Sequence, residues 1–245
     1  MAAGTAVLSV HASDTHGDGL LADGTVFRDM QCSPMLVTTA VLSSAQGRVD
    51  ALEPVSLGLL AQQFESILEG GRPDAARIGI MAGREQVEMV AAMLRIFQVP
   101  NVVLAPVLRI GKTPILSEEA MDALIGSLLP DVRVLAVRAG DLELLTGQRA
   151  ESLDELRSAA DILRKRGAGA VLVSGGIRKG RVLDVLDDGG EVTVLDTTRL
   201  SVSRVDGLAG AHAAAVAGHL ARGLDLRQAA AAAQRYVALR LQRGR

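Results

Sequence analysis

Short β-branched and aliphatic runs alternate with longer amphipathic segments along almost the whole chain. That alternation restricts the fold more than any other feature of the sequence. AVLSV (6–10), LVTTAVL (36–42), ARIGI (76–80), NVVLA (101–105), VRVLAV (132–137) and AVLVS (170–174) read as strands. Several are continuously apolar rather than alternating, so both of their faces are expected to be covered by helices, as in a parallel α/β sheet. VLDVL (182–186) and EVTVLD (191–196) bracket DDGG (187–190) and predict an antiparallel hairpin near one edge. Helices are predicted over 55–69, 83–98, 117–128, 151–166, 208–222 and 226–242. The fourth opens on Ser152 with Glu155 three residues on, the pattern of a capping box. Ligands of such sheets bind beyond the carboxyl ends of the strands. The loops that matter are therefore 11–24, 43–48, 80–84, 105–114, 137–141, 174–180 and 204–210.

No linker, repeat or composition break divides the 245 residues, so a single domain over 1–245 is expected. Hydrophobic residues make up 49% and aromatic ones only 2%, so the core is aliphatic and a base-stacking surface is excluded. A net charge of −2 offers no basic field for a phosphate backbone, and nucleic acid is not expected as a partner. No run approaches the ~20 apolar residues of a membrane span, and MAAGTAVLSV lacks a basic leader segment. A cytoplasmic protein is expected. The single cysteine, Cys32, excludes an internal disulfide and reads as a small buried hydrophobe. Asp14, His16 and Asp18 alternate in a glycine-containing loop, and His212 and His219 lie seven apart. Loop solvation and helix packing account for both patterns better than metal ligation does.

Read in order, the loops resemble the hydroxymethylpyrimidine and phosphomethylpyrimidine kinases of thiamine synthesis. The signature G-S-D-P-S-G-G-A-G-I-Q-A-D is met by His-Ala-Ser-Asp-Thr-His-Gly-Asp-Gly-Leu-Leu-Ala-Asp (11–23), and K-I-G-M-L by Arg-Ile-Gly-Ile-Met (77–81). V-x-D-P-V becomes Val-Leu-Ala-Pro-Val (103–107), and T-P-N-L-x-E-A-x-x-L-T-G becomes Ala-Val-Arg-Ala-Gly-Asp-Leu-Glu-Leu-Leu-Thr-Gly (136–147). V-L-V-K-G-G-H becomes Val-Leu-Val-Ser-Gly-Gly-Ile (171–177). H-G-T-G-C-T-L-S-A-A becomes Asp-Gly-Leu-Ala-Gly-Ala-His-Ala-Ala-Ala (206–215). The resemblance runs nearly end to end. It implies a ribokinase-like three-layer α/β/α sandwich with a mostly parallel central sheet, Mg-ATP as cofactor in an active member, a small heterocyclic ligand, and a homodimer.

The resemblance also assigns roles to positions. The Cys or Asp that serves the family as base after G-T-G falls on Gly210, which has nothing to titrate. Asp206 offers a carboxylate four residues earlier as a displaced base. The anion cradle becomes Gly207, Leu208 and Ala209. The aspartate of D-P-V is Ala105, and the lysine before Gly175-Gly176 is Ser174. The metal and phosphate motif N-x-x-E becomes Arg138-x-x-Asp141. Asp141 remains as a candidate Mg²⁺ ligand, and Arg138 is free to grip phosphate or to pair with Asp141 or Glu143. On the substrate side, Asp23 matches a carboxylate that reads the amino-pyrimidine edge. The family's glutamine falls on Ser44 without a gap or on Gln46 with a shift. The family's methionine falls on Ile80, with Met81 beside it, and Val107 keeps the apolar wall. Two functions follow: a degenerate binder of a pyrimidine-like ligand that transfers phosphate weakly or not at all, or a working kinase with Asp206 or water as base.

Overall fold

The computed structural model describes residues 4–178, 181–198 and 208–243. In chain order, β1 (Ala6–Asp14) is followed by α1 (Leu20–Asp29), β2 (Ser33–Ala45), β3 (Arg48–Pro54), α2 (Leu57–Glu69), β4 (Ala75–Ile78), α3 (Arg84–Ile96) and β5 (Val102–Leu104). A two-stranded hairpin of β6 (Arg109–Ile110) and β7 (Thr113–Pro114) then leads into α4 (Glu118–Ala123) and β8 (Val134–Arg138). Next come α5 (Leu142–Thr146), α6 (Leu153–Lys165), β9 (Val171–Arg178), β10 (Arg181–Asp187), β11 (Thr193–Thr198), α7 (Leu208–Ala221) and α8 (Leu226–Arg243).

The main sheet has nine strands in the order β11-β10-β9-β8-β5-β4-β1-β2-β3. Strands β2, β1, β4, β5, β8 and β9 run parallel; β3 at one end and β10-β11 at the other are antiparallel. The edge hairpin expected from DDGG is present. Chain order reverses between β1 and β4, and that switch point fixes where a crevice opens.

Each face of the sheet has its own core. One is built from Leu8, Val10, Ile78, Leu104 and Val173 with Leu60 and Phe64 of α2, Val90 of α3 and Leu163 of α6. The other joins Val7, Val103, Val134 and Leu172 to Phe27 of α1, Val216 of α7 and Ala229 of α8. The alanine run of α7 explains itself here. Ala211, Ala213, Ala214, Ala215 and Ala217 are all buried, because the helix is covered by sheet on one side and by α1 and α8 on others. Only small side chains permit so close an approach: a Cβ on Gly218 would lie 2.6 Å from Met30 Sδ.

Three local expectations change. Residues 20–24, expected as loop, begin α1. Its sequence LLADGTVFRD carries Gly24, Thr25 and Val26, all weak helix formers, so burial against β2 and α7 rather than propensity holds it. Residues 48–54, unassigned in the sequence, form β3, an exposed edge strand. It turns back through Gln46 and Gly47, both at positive φ (53° and 75°), as a type I′ hairpin requires. The helix expected over 117–128 keeps regular form only to Ala123. It loosens into a wider turn over Leu124–Leu128 and tightens through Pro130. The capping box at Ser152 and Glu155 forms as expected.

Candidate functional site

The loop after β1 is wound around one carboxylate. Asp14 accepts from the backbone N–H groups of His16 (2.9 Å), Asp18 (3.0 Å) and Gly19 (2.5 Å). Gly19 is required because a Cβ there would lie 2.2 Å from the Ala12 carbonyl oxygen. His16 Nε2 reaches back 2.8 Å to the Ser44 carbonyl oxygen, tying this loop to the end of β2. Asp14 and His16 are thus occupied by loop construction.

At the switch point, β4 ends in Arg77-Ile78-Gly79. Arg77 is 1% exposed, and its Nη1 lies 3.3 Å from Asp23 Oδ2. Ser9 Oγ donates to the same oxygen at 2.6 Å. Gly79 makes the arrangement possible, since a Cβ there would stand 2.1 Å from Arg77 Nη1 and 2.2 Å from His11 Cδ2. Burial pushes the Asp23 carboxyl up and pulls the Arg77 guanidinium down. The contact between them opposes both shifts and favours the ionised pair. Among the described residues, Asp23 Oδ1 and Arg77 Nε and Nη1 have no hydrogen-bond partner, so the Arg77–Asp23 contact is one of charge alone.

Asp23, expected to read an amino-pyrimidine edge, is 0% exposed here and lies between Ser9 and Arg77. The mouth of α7 lies on the other side of the same arginine. A Cβ on Gly210 would have Arg77 Nη2 at 3.6 Å and the Asp18 carbonyl oxygen at 3.9 Å as its nearest described neighbours. Position 210 therefore looks onto a cation and carries no side chain of its own. Leu208 and Ala209 open α7, whereas Asp206 and Gly207 lie outside the described residues.

The apolar wall is partly as expected. Ile80 is buried with Ala12, Ala40 and Leu42, and Val107, Ile110 and Ile115 pack against them. Met81 is not part of it; its side chain turns into the main core with Leu60 and Val87. Alternation after β4 sends neighbouring side chains to opposite sides, so Ile80 and Met81 cannot share a wall. Above it, Gly111 at the tip of the β6–β7 hairpin meets Gly47 of the β2–β3 turn. A Cβ on Gly111 would fall 1.9 Å from the Gly47 carbonyl oxygen. Ser44 and Gln46 both belong to this roof: Ser44 is half-buried, and Gln46 is an exposed turn residue.

At the end of β8, Asp141 is 3% exposed and accepts at both oxygens: Oδ1 from Arg109 Nε at 2.8 Å, Oδ2 from Arg138 Nε at 2.6 Å. Of the pairings open to Arg138, the one with Asp141 is formed; Glu143 is taken by Arg149. Asp141, expected as a Mg²⁺ ligand, has both oxygens engaged by guanidinium groups here, so a metal would have to compete with two cations for them. Among the described residues, no group of three His, Cys, Asp or Glu side chains could hold a metal ion. Arg109 was not singled out in the sequence, because a two-residue strand in a loop leaves no periodic signal.

Ser174 stands opposite Arg138 in the β8–β9 register and is half-buried. Gly175 takes φ 77° and donates its N–H to Asp184 Oδ1 at 2.9 Å, while Gly176 continues β9 opposite Leu183. Asp184, also missed in the sequence, is buried, accepts from Gln234 Nε2 at 3.1 Å and lies 3.8 Å from His212 Nε2. Burial lowers the His212 pKa from its ordinary 6.5, with Asp184 acting the other way. His219 is lowered too, by burial and by Arg222 and Arg235. A histidine depressed in the folded state favours folding above its unfolded pKa and loses that contribution as pH falls. Stability to urea is therefore expected to drop as pH falls below the ordinary histidine value of about 6.5, and His212→Asn should flatten that slope. A slope unchanged in the variant would show that His212 takes up its proton freely.

The fold agrees with comparisons across known proteins. The chain matches the family model described as phosphomethylpyrimidine kinase over residues 14–244. A hydroxymethylpyrimidine/phosphomethylpyrimidine kinase of Rhizobium meliloti is 32% identical over 234 residues, which is 94% of this chain and 88% of that protein. Its counterpart in Bacillus subtilis is 28% identical over 234 residues, with 94% and 86% covered. Among solved structures, the Staphylococcus aureus pyridoxal kinase in complex with AMP-PCP and pyridoxal superposes with a TM-score of 0.88 at 25% identity, covering 96% of this chain and 87% of that one. A phosphomethylpyrimidine kinase of Clostridium difficile shares the fold, with a TM-score of 0.84 at 22% identity over 97% of this chain and 99% of that one. With its ribokinase-like sheet and a family match over nearly its whole length, the chain belongs to the phosphomethylpyrimidine kinase family.

Proposed function

We propose that this chain is a member of the family in which binding has outlived phosphoryl transfer: it holds a small pyrimidine-like heterocycle in the crevice and transfers phosphate slowly or not at all. The observation that carries the reading is the state of two positions at once. Gly210 offers no base at the mouth of α7, and Asp141 is committed to Arg109 and Arg138. Phosphoryl transfer to an alcohol depends on a group to take the hydroxyl proton and on a metal to neutralise the moving charge. The surviving features, the Ile80–Val107 wall and the paired hairpin tips above it, serve enclosure rather than reaction. A single domain over residues 1–245 and a cytoplasmic homodimer are part of the proposal.

The competing reading, a Mg-ATP-dependent kinase with Asp206 or water as base, is separated by one experiment. Purified protein is incubated at high concentration with Mg-ATP and hydroxymethylpyrimidine or its monophosphate, and ADP formation is followed; the same samples are titrated by calorimetry. Saturable binding of the heterocycle without heterocycle-dependent ADP is expected. Sustained turnover that depends on the heterocycle would overturn the proposal in favour of the kinase.

A further inference from the structure

The Arg109–Asp141–Arg138 cluster replaces the metal-ligand chemistry expected at this position with something different. One carboxylate between two guanidinium groups leaves a net positive charge. The carboxylate is buried, while the Arg109 and Arg138 side chains are 43% and 48% exposed. Both forks are held. Arg109 uses Nε on Asp141 and Nη2 on the Gly140 carbonyl oxygen at 2.9 Å. Arg138 places Nε and Nη2 on one oxygen, at 2.6 and 2.5 Å. Planar donors fixed in advance lose little rotamer freedom on meeting an anion, and the guanidinium fork matches phosphate oxygens.

The position also fits. Arg138 is the last residue of β8 and lies beside Ser174 of β9, one residue before the positive-φ turn at Gly175. Arg109 begins the β6–β7 hairpin that roofs the apolar wall. Both arginines therefore stand at the carboxyl ends of the strands, on the side of the sheet where ligands bind.

We propose that Arg109 and Arg138, braced by Asp141, form a metal-independent seat for a phosphoanion. Its ligand is the terminal phosphate of a nucleotide or the phosphate ester of a small heterocycle. The arginines supply the positive charge for which a divalent ion is the usual source, and no bond is made or broken. This inference rests on the proposed binding function only in requiring an accessible crevice.

The test is calorimetric titration of the full chain with two matched pairs, ADP against adenosine and hydroxymethylpyrimidine phosphate against hydroxymethylpyrimidine. Each is run in EDTA and again with Mg²⁺. In at least one pair the phosphorylated member should bind in EDTA roughly tenfold or more tighter than its partner, with little change on adding Mg²⁺. Which pair responds identifies the source of the phosphate. Arg109→Gln and Arg138→Gln should each remove about tenfold of that preference, read as the ratio of the two affinities within a pair. Both side chains are half exposed, so the variants should fold, and their melting temperatures check this. Phosphate-dependent binding that appears only with Mg²⁺, or that survives both substitutions, overturns the seat. If hydroxymethylpyrimidine binds but phosphate adds nothing in either pair, the seat falls and the binding function stands. If no compound binds, both fall.

Discussion

Asp23→Ala is expected to destabilise the protein by about 3–5 kcal/mol, far more than a typical polar substitution. The carboxylate is the counter-ion of Arg77, and both side chains are almost fully removed from solvent. Removing it strands a guanidinium that already lacks a hydrogen-bond partner at Nε, and Gly79 and His11 close off the route by which it might turn elsewhere. Ser9 loses its 2.6 Å acceptor in the same step. A double substitution, Asp23→Leu with Arg77→Met, removes both charges, and much of the loss should return. Breaking a buried pair costs far more than replacing it with apolar groups of similar size. Urea midpoints for the two variants check both expectations. A cost below about 1 kcal/mol for Asp23→Ala would mean that Arg77 reaches water, against the buried-pair account. The substitution cannot serve as a probe of ligand contact, because lost binding would follow from lost structure.

Asp23 also illustrates what the sequence makes legible. The strand–helix alternation carries nearly all of the sheet, including the antiparallel hairpin at its edge, because continuous apolar runs need no context to be recognised. The elements that escape it are held by context. Helix α1 contains an acid, a glycine and β-branched residues, and β3 is an exposed edge whose signature is the two-residue turn at Gln46-Gly47. Site residues divide along the same line. Motif position puts Gly210 in the first turn of α7 and Arg138 at the end of β8, and Ile80 and Val107 pack in one cluster. Motif position says nothing of direction. Met81 turns into the main core and Asp23 turns toward Arg77, a residue on β4 more than fifty positions along the chain. The second partner of Asp141, Arg109, and the clamp that Asp184 places on Gly175 come from separate strands and hairpins. No local pattern contains them.

Restoring the missing base alone should restore almost no phosphoryl transfer. With Gly210→Cys, which supplies a residue found at that position in the family, heterocycle-dependent ADP formation is expected to stay within about tenfold of the parent. Space does not limit the substitution: the nearest described atoms to a Cβ at 210 are 3.6 and 3.9 Å away. A general base contributes about 10²–10⁴ in rate, and each lost charge-stabilising group costs about 10²–10³ more. Those factors do not accumulate independently. Groups that act as a unit lose nearly the whole effect when one is absent, so returning one part to an incomplete set recovers little. The remaining gap lies at Asp141, whose two oxygens stay on Arg109 and Arg138 whatever occupies position 210. A gain appears only when the carboxylate is also released, as in Gly210→Cys combined with Arg109→Ala and Arg138→Asn. A coupled ADP assay on the single and triple variants decides the matter. If Gly210→Cys alone raises the rate by about 10² or more, the arginine cluster does not block the metal's work, and the chain is a kinase one residue short.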